Sequence, residues 1–531
     1  MEAGIPALRT TEGCVYTTLV KSKVVVRNSV LGALDTGVGL LMSFATAGIV
    51  ARALGPAKMG QFAFALWLGS VMGTFAYHGV GGVLAKYLAE YFGKGDLAVV
   101  KALVRAGFRF QFAFLFVMGS VCVVYIVWRV PEGQRLYTSL VLATLIPGLM
   151  QVVATVTNIA AEDFAANIIP AMCSTLLQPV GIVLALGLKW GPHTLVPRLE
   201  LVGLAGGLLF SRFVDGGMRL WFLRNRFPPG LPHVAIPAEL IPRMWTYLWH
   251  SSALLILDMI VWERSETFFL KKFSDSVQLA FYSTGFSISV LLMALPSSFA
   301  GAASASLMVE RGRNPSALNR AAVATLRYMA LMVFPMAVGL AALSGPVIRI
   351  IYGRQYVPAI PIFALMTLLI VPKALVGPAQ WLLRAVEKQG FMVRWMIFAS
   401  VVTLTLDYFL IQRYGAMGAA WGNGLGQFVA VAGIWFYAAR TERLAIPWSE
   451  LSRMAGAAAI MGAIAYPFTL FLPAVLAVLV AVPVGVVVYG ALLRALRSFA
   501  EEDGPRLRGL GAQLPLPLRG WYDDSMRWIL S

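Results

Sequence analysis

Charge is scarce in this chain of 531 residues: Asp, Glu, Lys and Arg together make up 13% of it, and only 25 residues are acidic. With 59% hydrophobic residues, so little charge cannot cover a water-exposed globule, which excludes a soluble domain. Cysteine is scarcer still. Cys14, Cys122 and Cys173 lie in a tail and in apolar segments, with neither paired nor metal-type spacing, so no disulfide framework and no metal site is expected. The four histidines, His78, His193, His233 and His250, are scattered in the same way. No Ser/His/Asp set and no glycine-rich phosphate loop rises above background, so no cofactor is implied and a catalytic assignment has nothing to rest on. The first twenty residues lack an apolar core followed by a small-residue cleavage site, and the first membrane helix is expected to act as its own insertion signal.

What the chain has in abundance is long apolar runs, with a mean hydropathy of +0.75. From Asn28 to Val50 the sequence is apolar except for Asp35 and a few small hydroxyl residues, enough at helical rise to cross about 30 Å of hydrocarbon. It breaks at Arg52-Ala-Leu-Gly-Pro56, and Met59 starts a second run. The same reading places helices at 28–52, 58–80, 104–128, 136–160, 164–188, 200–223, 245–271, 277–305, 321–344, 358–384, 391–412, 415–439, 453–471 and 473–494. The expected fold is an all-α polytopic membrane protein of about fourteen transmembrane helices.

The net charge of +18 is a topology signal rather than a nucleic-acid footprint, because the charges sit between apolar runs and not on one basic face. With the amino terminus in the cytoplasm, 29 of the 43 Lys and Arg lie on or flank inner segments and 11 lie on outer turns. Both termini are then expected in the cytoplasm of a multi-pass cell-membrane protein. The outer connections are too short for a catalytic domain, which argues against a polytopic glycan polymerase or ligase. Pro228, Pro229, Pro232, Pro237 and Pro242 mark a connector at 224–244. The expected organisation is a cytoplasmic segment 1–27, a first lobe 28–223, the link 224–244, a second lobe 245–440, two further helices in 441–494 and a cytoplasmic tail 495–531.

Short matches recur at offsets of about 215 to 225 residues: Gly60-Gln-Phe-Ala with Ala280-Phe-Tyr-Ser, Ala161-Glu-Asp with Val386-Glu-Lys, Gly203-Leu-Ala-Gly-Gly207 with Gly418-Ala-Ala-Trp-Gly422, and Asp35 with Asp258. Their common order points to a parallel repeat of two six-helix lobes followed by two C-terminal helices. The small-residue pairs also let helix backbones approach closely in lipid, which is their ordinary explanation.

The first helix followed by Ala51-Arg-Ala-Leu-Gly55-Pro-Ala-Lys-Met-Gly60-Gln-Phe resembles the opening signature of Wzx-type oligosaccharide-lipid flippases, in the polysaccharide-transport branch of the MOP exporter superfamily. Further marks are Phe268-Phe-Leu270, Ala280-Phe-Tyr282, Ile351-Tyr-Gly353 with Tyr356, and Tyr414-Gly-Ala-Met-Gly418. Gly55-Pro56-Ala57-Lys58 departs from the lipid II flippase branch, whose turn usually reads Leu-Gly-Phe followed by Arg-Asp. The resemblance implies a V-shaped pair of six-helix lobes that moves a polyprenyl-diphosphate-linked oligosaccharide, of the O-antigen or lipopolysaccharide kind, to the outer leaflet for cell-surface polysaccharide biosynthesis. Such a cargo needs a polar, cationic path, because its hydrated sugar and diphosphate cannot cross hydrocarbon unaided.

Intramembrane charges are the candidate site residues, since each costs several kcal/mol if it faces lipid. Arg212, Arg264 and Lys373 are expected to hold the diphosphate, and Asp35, Asp215, Asp258 and Glu266 to line the cavity or bind a coupling H+ or Na+. Arg212 with Asp215, one turn apart, is equally natural as an internal ion pair, and Glu263 and Glu266 as a local network with Arg264. Arg52 reads as an interface anchor or gate, and Arg105 and Arg109 as an inner basic rim. An ion-coupled drug or cation exporter of the same superfamily is the alternative. It should be lined by acids, whereas a diphosphate carrier should be lined by bases.

Overall fold

The structure, a computed structural model, describes residues 11–190, 193–293, 296, 315–386, 388–498 and 520. The side chains of most residues before Ala45, and of 76–79, lie outside that description. Helices account for nearly all of it. The exception is an antiparallel hairpin, β1 (Leu188–Trp190) and β2 (His193–Val196), with Lys189 opposite Thr194. Among the described residues nine helices are long and apolar enough to cross a membrane, or ten if a pair bent by 46° within 45–93 counts as one.

The first helix, α1 (Thr11–Gly93), is interrupted where the turn is expected: Gly55 has φ 74° and ψ 170°, and Pro56 follows. That positive φ suits glycine, and proline opens the next helical stretch without losing a needed N–H. α2 (Leu97–Arg129) starts at Asp96, whose carboxylate accepts from the Val99 N–H at 3.0 Å. α3 (Glu132–Ala143) and α4 (Leu145–Ala160) replace one expected span, separated at Thr144. α5 (Ala165–Leu186) and α6 (Glu200–Arg226) follow, then α7 (Leu240–Trp262).

The chain forms two compact units, one of residues 1–53 and 65–255 and one of residues 54–64 and 256–531, so the division falls inside α7. In the first unit Leu84, Tyr87, Leu88, Leu103, Leu149 and Val153 are buried at its core. Its α5 and α6 touch through backbone: Gly203 lies against Leu184 and Ala185, and Gly207 against Gly181. No side chain would fit there, the physical content of a small-residue seam.

In the second unit the expected span 245–271 is not continuous. α7 ends at Trp262, residues 263–265 are non-helical, and α8 (Glu266–Phe273) resumes. α9 (Ser276–Leu291), capped by Asp275, and α10 (Pro315–Ala342) flank a stretch of the expected helix 277–305 that lies outside the described residues. After α11 (Ser344–Ile351) and a short 3-10 turn (Arg354–Ala359) the expected helix 358–384 is divided into α12 (Ile360–Leu369), α13 (Val371–Leu375) and α14 (Gly377–Ala385). Each piece begins with a proline in its first turn, Pro361, Pro372 and Pro378, where the missing N–H costs nothing.

α15 (Gln389–Glu442) is a hairpin of two helices reversing at Gly415, which has φ 54° and ψ −129°. Its internal contacts show the reversal. Gly418 meets Leu410, Gly422 meets Asp407, Gly426 meets Thr403 and Gly433 meets Trp395, the partner number falling as the glycine number rises. Phe391 stacks on Tyr437 at 3.7 Å, and Lys388 pairs with Glu442 at 2.9 Å near the open end. The two expected helices 391–412 and 415–439 are therefore present, closed by the same glycine-seam device that joins α5 to α6. α16 (Trp448–Ala465), the short α17 (Phe468–Phe471) and α18 (Ala474–Ala495) complete the chain, with α16 packed on α10 through Met454, Ala457, Ala458, Leu326 and Ala330.

Candidate functional site

A helix that stops inside hydrocarbon leaves its last carbonyls unpaired, so a break at 263–265 demands polar partners. The second unit supplies them from side chains. Ser265 Oγ donates to the Ile260 carbonyl at 3.0 Å, Lys373 Nζ to the Trp262 carbonyl at 2.7 Å, and Asn423 Nδ2 to the Glu263 carbonyl at 3.3 Å. The cation at the end of α7 also meets the negative end of that helix's dipole, worth up to ~2 kcal/mol when partly buried.

On the other side of the break, Glu266 opens α8 fully buried. Tyr282 Oη donates to its Oε2 at 2.8 Å and Asn423 Nδ2 to its Oε1 at 2.7 Å, while Gln427 Nε2 holds Asn423 Oδ1 at 2.9 Å. Asp407 is equally buried. One of its oxygens accepts from Ser265 Oγ at 3.3 Å, the other has no partner, and it lies within electrostatic range of Glu266. Buried carboxylates in this number are costly unless a proton or cation joins them.

Two cations complete the cluster. Arg264 is half-buried, stacks over the Phe286 ring at 4.5 Å and donates to Ser287 Oγ at 3.1 Å. Lys373, half-buried on α13, lies 5.9 Å from the Trp262 ring centroid. Asp258, Glu263 and Glu266 are its charged neighbours, yet among the described residues neither Lys373 nor Arg264 forms an ion pair within 4 Å. Their charge is held by carbonyl, hydroxyl and ring, not cancelled at contact.

Of the residues singled out in the sequence, Arg264, Lys373, Asp258 and Glu266 meet at this break. Arg212, Asp215, Arg52, Arg105 and Arg109 lie in the first unit. Asp215 pairs with Arg219, four residues on, at 2.8 Å, rather than with Arg212, and Arg219 also donates to Thr155 and Asn167 in a satisfied network of the first unit. Arg212 is exposed on α6, and among the described residues it forms no ion pair with Asp215. Arg52 and Arg109 are exposed in the first unit, and Arg105 is half-buried there on α2. Asp35 lies on α1, but its side chain falls outside the described residues. The sequence reading missed Asp407, Asn423 and Gln427; a lone acid in an apolar helix was the available signal for the first.

These features describe a multi-pass helical membrane protein built of two units, with a charged cluster at a broken helix. Its fold is similar to that of a lipid II flippase MurJ in an inward closed conformation, with a TM-score of 0.64 over 89% of this chain and 99% of that one, at 14% identity. It matches an inward-facing MATE family multidrug transporter at 0.60 over 76% and 94%, with 16% identity. A MOP transporter from Pyrococcus furiosus, described as having a binding pocket of reversed polarity, matches at 0.56 over 79% and 96%, with 14% identity. No curated protein sequence matches significantly. Residues 49–361 match the family described as polysaccharide biosynthesis protein, and the chain belongs to that family.

Proposed function

We propose that this protein carries a polyprenyl-diphosphate-linked oligosaccharide from the cytoplasmic to the outer leaflet of the cell membrane, by alternating access and without covalent chemistry. Both termini are taken as cytoplasmic. The family membership and the fold shared with a lipid II flippase support the substrate class. The observation that carries the reading is the pair Arg264 and Lys373, two intramembrane cations at one helix break with no carboxylate in contact. A diphosphate is the ligand such uncancelled charge suits. A cationic-drug exporter would gain nothing from it.

The buried acids fit a different role. Glu266 and Asp407, with Asn423 and Ser265 around them, are two buried carboxylates within electrostatic range of each other, chemistry that suits one H+ or Na+, and we assign coupling to this pair in place of Asp35 or Asp258. Half-helix ends and unwound carbonyls are where transporters hold such ions.

The test is replacement of Lys373 by Ala in cells that depend on the protein for surface glycan. Loss of surface glycan with accumulation of lipid-linked precursor on the inner side, at normal protein level, is expected. Normal surface glycan would remove Lys373 from the mechanism.

A further inference from the structure

The first unit contains a second feature that the proposed function does not draw on. A cavity of about 160 Å³, open on one side, is lined by Val80, Val83, Leu84, Gly107, Met244 and Trp245, and is almost wholly apolar. It is bounded by the end of α1, by α2, and by the link and first turns of α7. A globular interior would collapse on such a space, and a surface one in water would be costly. Here the neighbouring turn of α7 carries Trp245 (48% exposed), Tyr247 (37%) and Trp249 (71%), the residues that mark the boundary between hydrocarbon and headgroups.

One turn beyond the lining, two exposed cations converge on the same aromatic ring. Lys86 Nζ lies 5.3 Å and Arg243 Cζ 5.8 Å from the Tyr87 ring centroid, and Lys86 also sits 4.7 Å from that of Tyr247. The acid within electrostatic range of both is Glu90, which is already bonded to Lys94 at 2.6 Å. Arg105, next to the lining residue Ala106, has buried Nε and Nη2 atoms without a partner. An apolar slot at headgroup depth, ringed by cations that have no carboxylate in contact, is complementary to a lipid bearing a phosphate.

We propose that this pocket seats part of one acyl chain of an anionic phospholipid from the leaflet on the side of the 224–244 link, with its phosphate on Lys86 and Arg243. Charge selects the occupant: an apolar cleft beside two cations suits a lipid that pairs a hydrocarbon chain with a phosphate and carries net negative charge. The lipid would tie the link and α7 to the end of α1 within this unit. The site lies within the first unit and does not depend on the identity of the cargo.

The experiment is native mass spectrometry of the full chain in detergent, offered equal amounts of phosphatidylglycerol, phosphatidylcholine and polyprenyl phosphate. Wild type is expected to retain one phosphatidylglycerol in preference to phosphatidylcholine by about thirtyfold, from two cations acting at the surface. Lys86→Gln with Arg243→Gln should abolish that preference, Lys86→Arg with Arg243→Lys should keep it, and Ala106→Leu, which fills the slot, should release both phospholipids. The charge-retaining double variant is the folding control for the glutamine pair, and thermal unfolding in the same detergent checks that Ala106→Leu is folded. Unchanged preference in the double glutamine variant, retention of lipid by Ala106→Leu, or binding of polyprenyl phosphate ahead of phosphatidylglycerol would overturn the proposal.

Discussion

Lys373 Nζ lies 2.7 Å from the carbonyl oxygen of Trp262, the last residue of α7, so a cation from the most proline-divided helix caps the most abruptly ended one. The bond leaves the lysine's remaining protons free for an incoming anion. Replacing Lys373 by Ala removes both the cap and the charge; replacing it by Met removes the charge and keeps most of the packing. Both variants should lose at least ~90% of surface glycan, a change of about 1.4 kcal/mol or more in the step that uses the charge. Quantifying glycan by lectin binding at matched protein level checks this.

Sequence made much of this legible. The turns at Gly55 and Gly415 and the helix pairs closed by glycine seams follow from apolar length and small-residue spacing. The break at 263–265 was not legible, because Glu263-Arg264-Ser265 contains neither proline nor glycine, and it is stabilised by side chains more than a hundred residues away. Lys373 has no acid one turn along its own helix, and that spacing could not reveal a carbonyl partner on another. Arg219, near the end of α6, carries no sequence signal that sets it apart from the cations flanking the inner segments, although it is buried against Asp215.

Asp215 and Arg219 form the buried pair of the first unit, so removing one partner leaves an uncompensated charge. Arg219→Ala should cost ~3–5 kcal/mol, while Arg212→Ala, exposed, should stay within ~0.5 kcal/mol. Thermal unfolding of the purified variants in one detergent distinguishes the two, and an equal loss for Arg212 would contradict the pairing.

Gly422 lies against the Asp407 carboxylate and Gly433 against the Trp395 indole. Gly433→Ala should lower stability by ~1–3 kcal/mol through overpacking alone. Gly422→Ala should in addition displace Asp407, so its transport should respond differently to Na+ or to pH while Gly433→Ala transport keeps the wild-type response. Rates measured across an ion series make the comparison.

Glu266 accepts hydrogen bonds on both oxygens, whereas Asp407 has one oxygen without a partner. Asp407→Asn and Glu266→Gln should both uncouple transport from its ion gradient. Glu266→Gln should also destabilise the fold, because its new amide faces two donors. A gradient-driven assay with and without ionophore reports the coupling, and thermal unfolding reports the cost.

The most direct test of the central claim is translocation in proteoliposomes containing the purified full chain, a short-chain polyprenyl-diphosphate oligosaccharide and, separately, a cationic dye. The account predicts that the protein moves the lipid-linked sugar across the bilayer, that Arg264→Ala with Lys373→Ala stops it, and that the dye is left behind. Transport of the dye with no movement of the lipid-linked sugar, or full activity in the double variant, would contradict it.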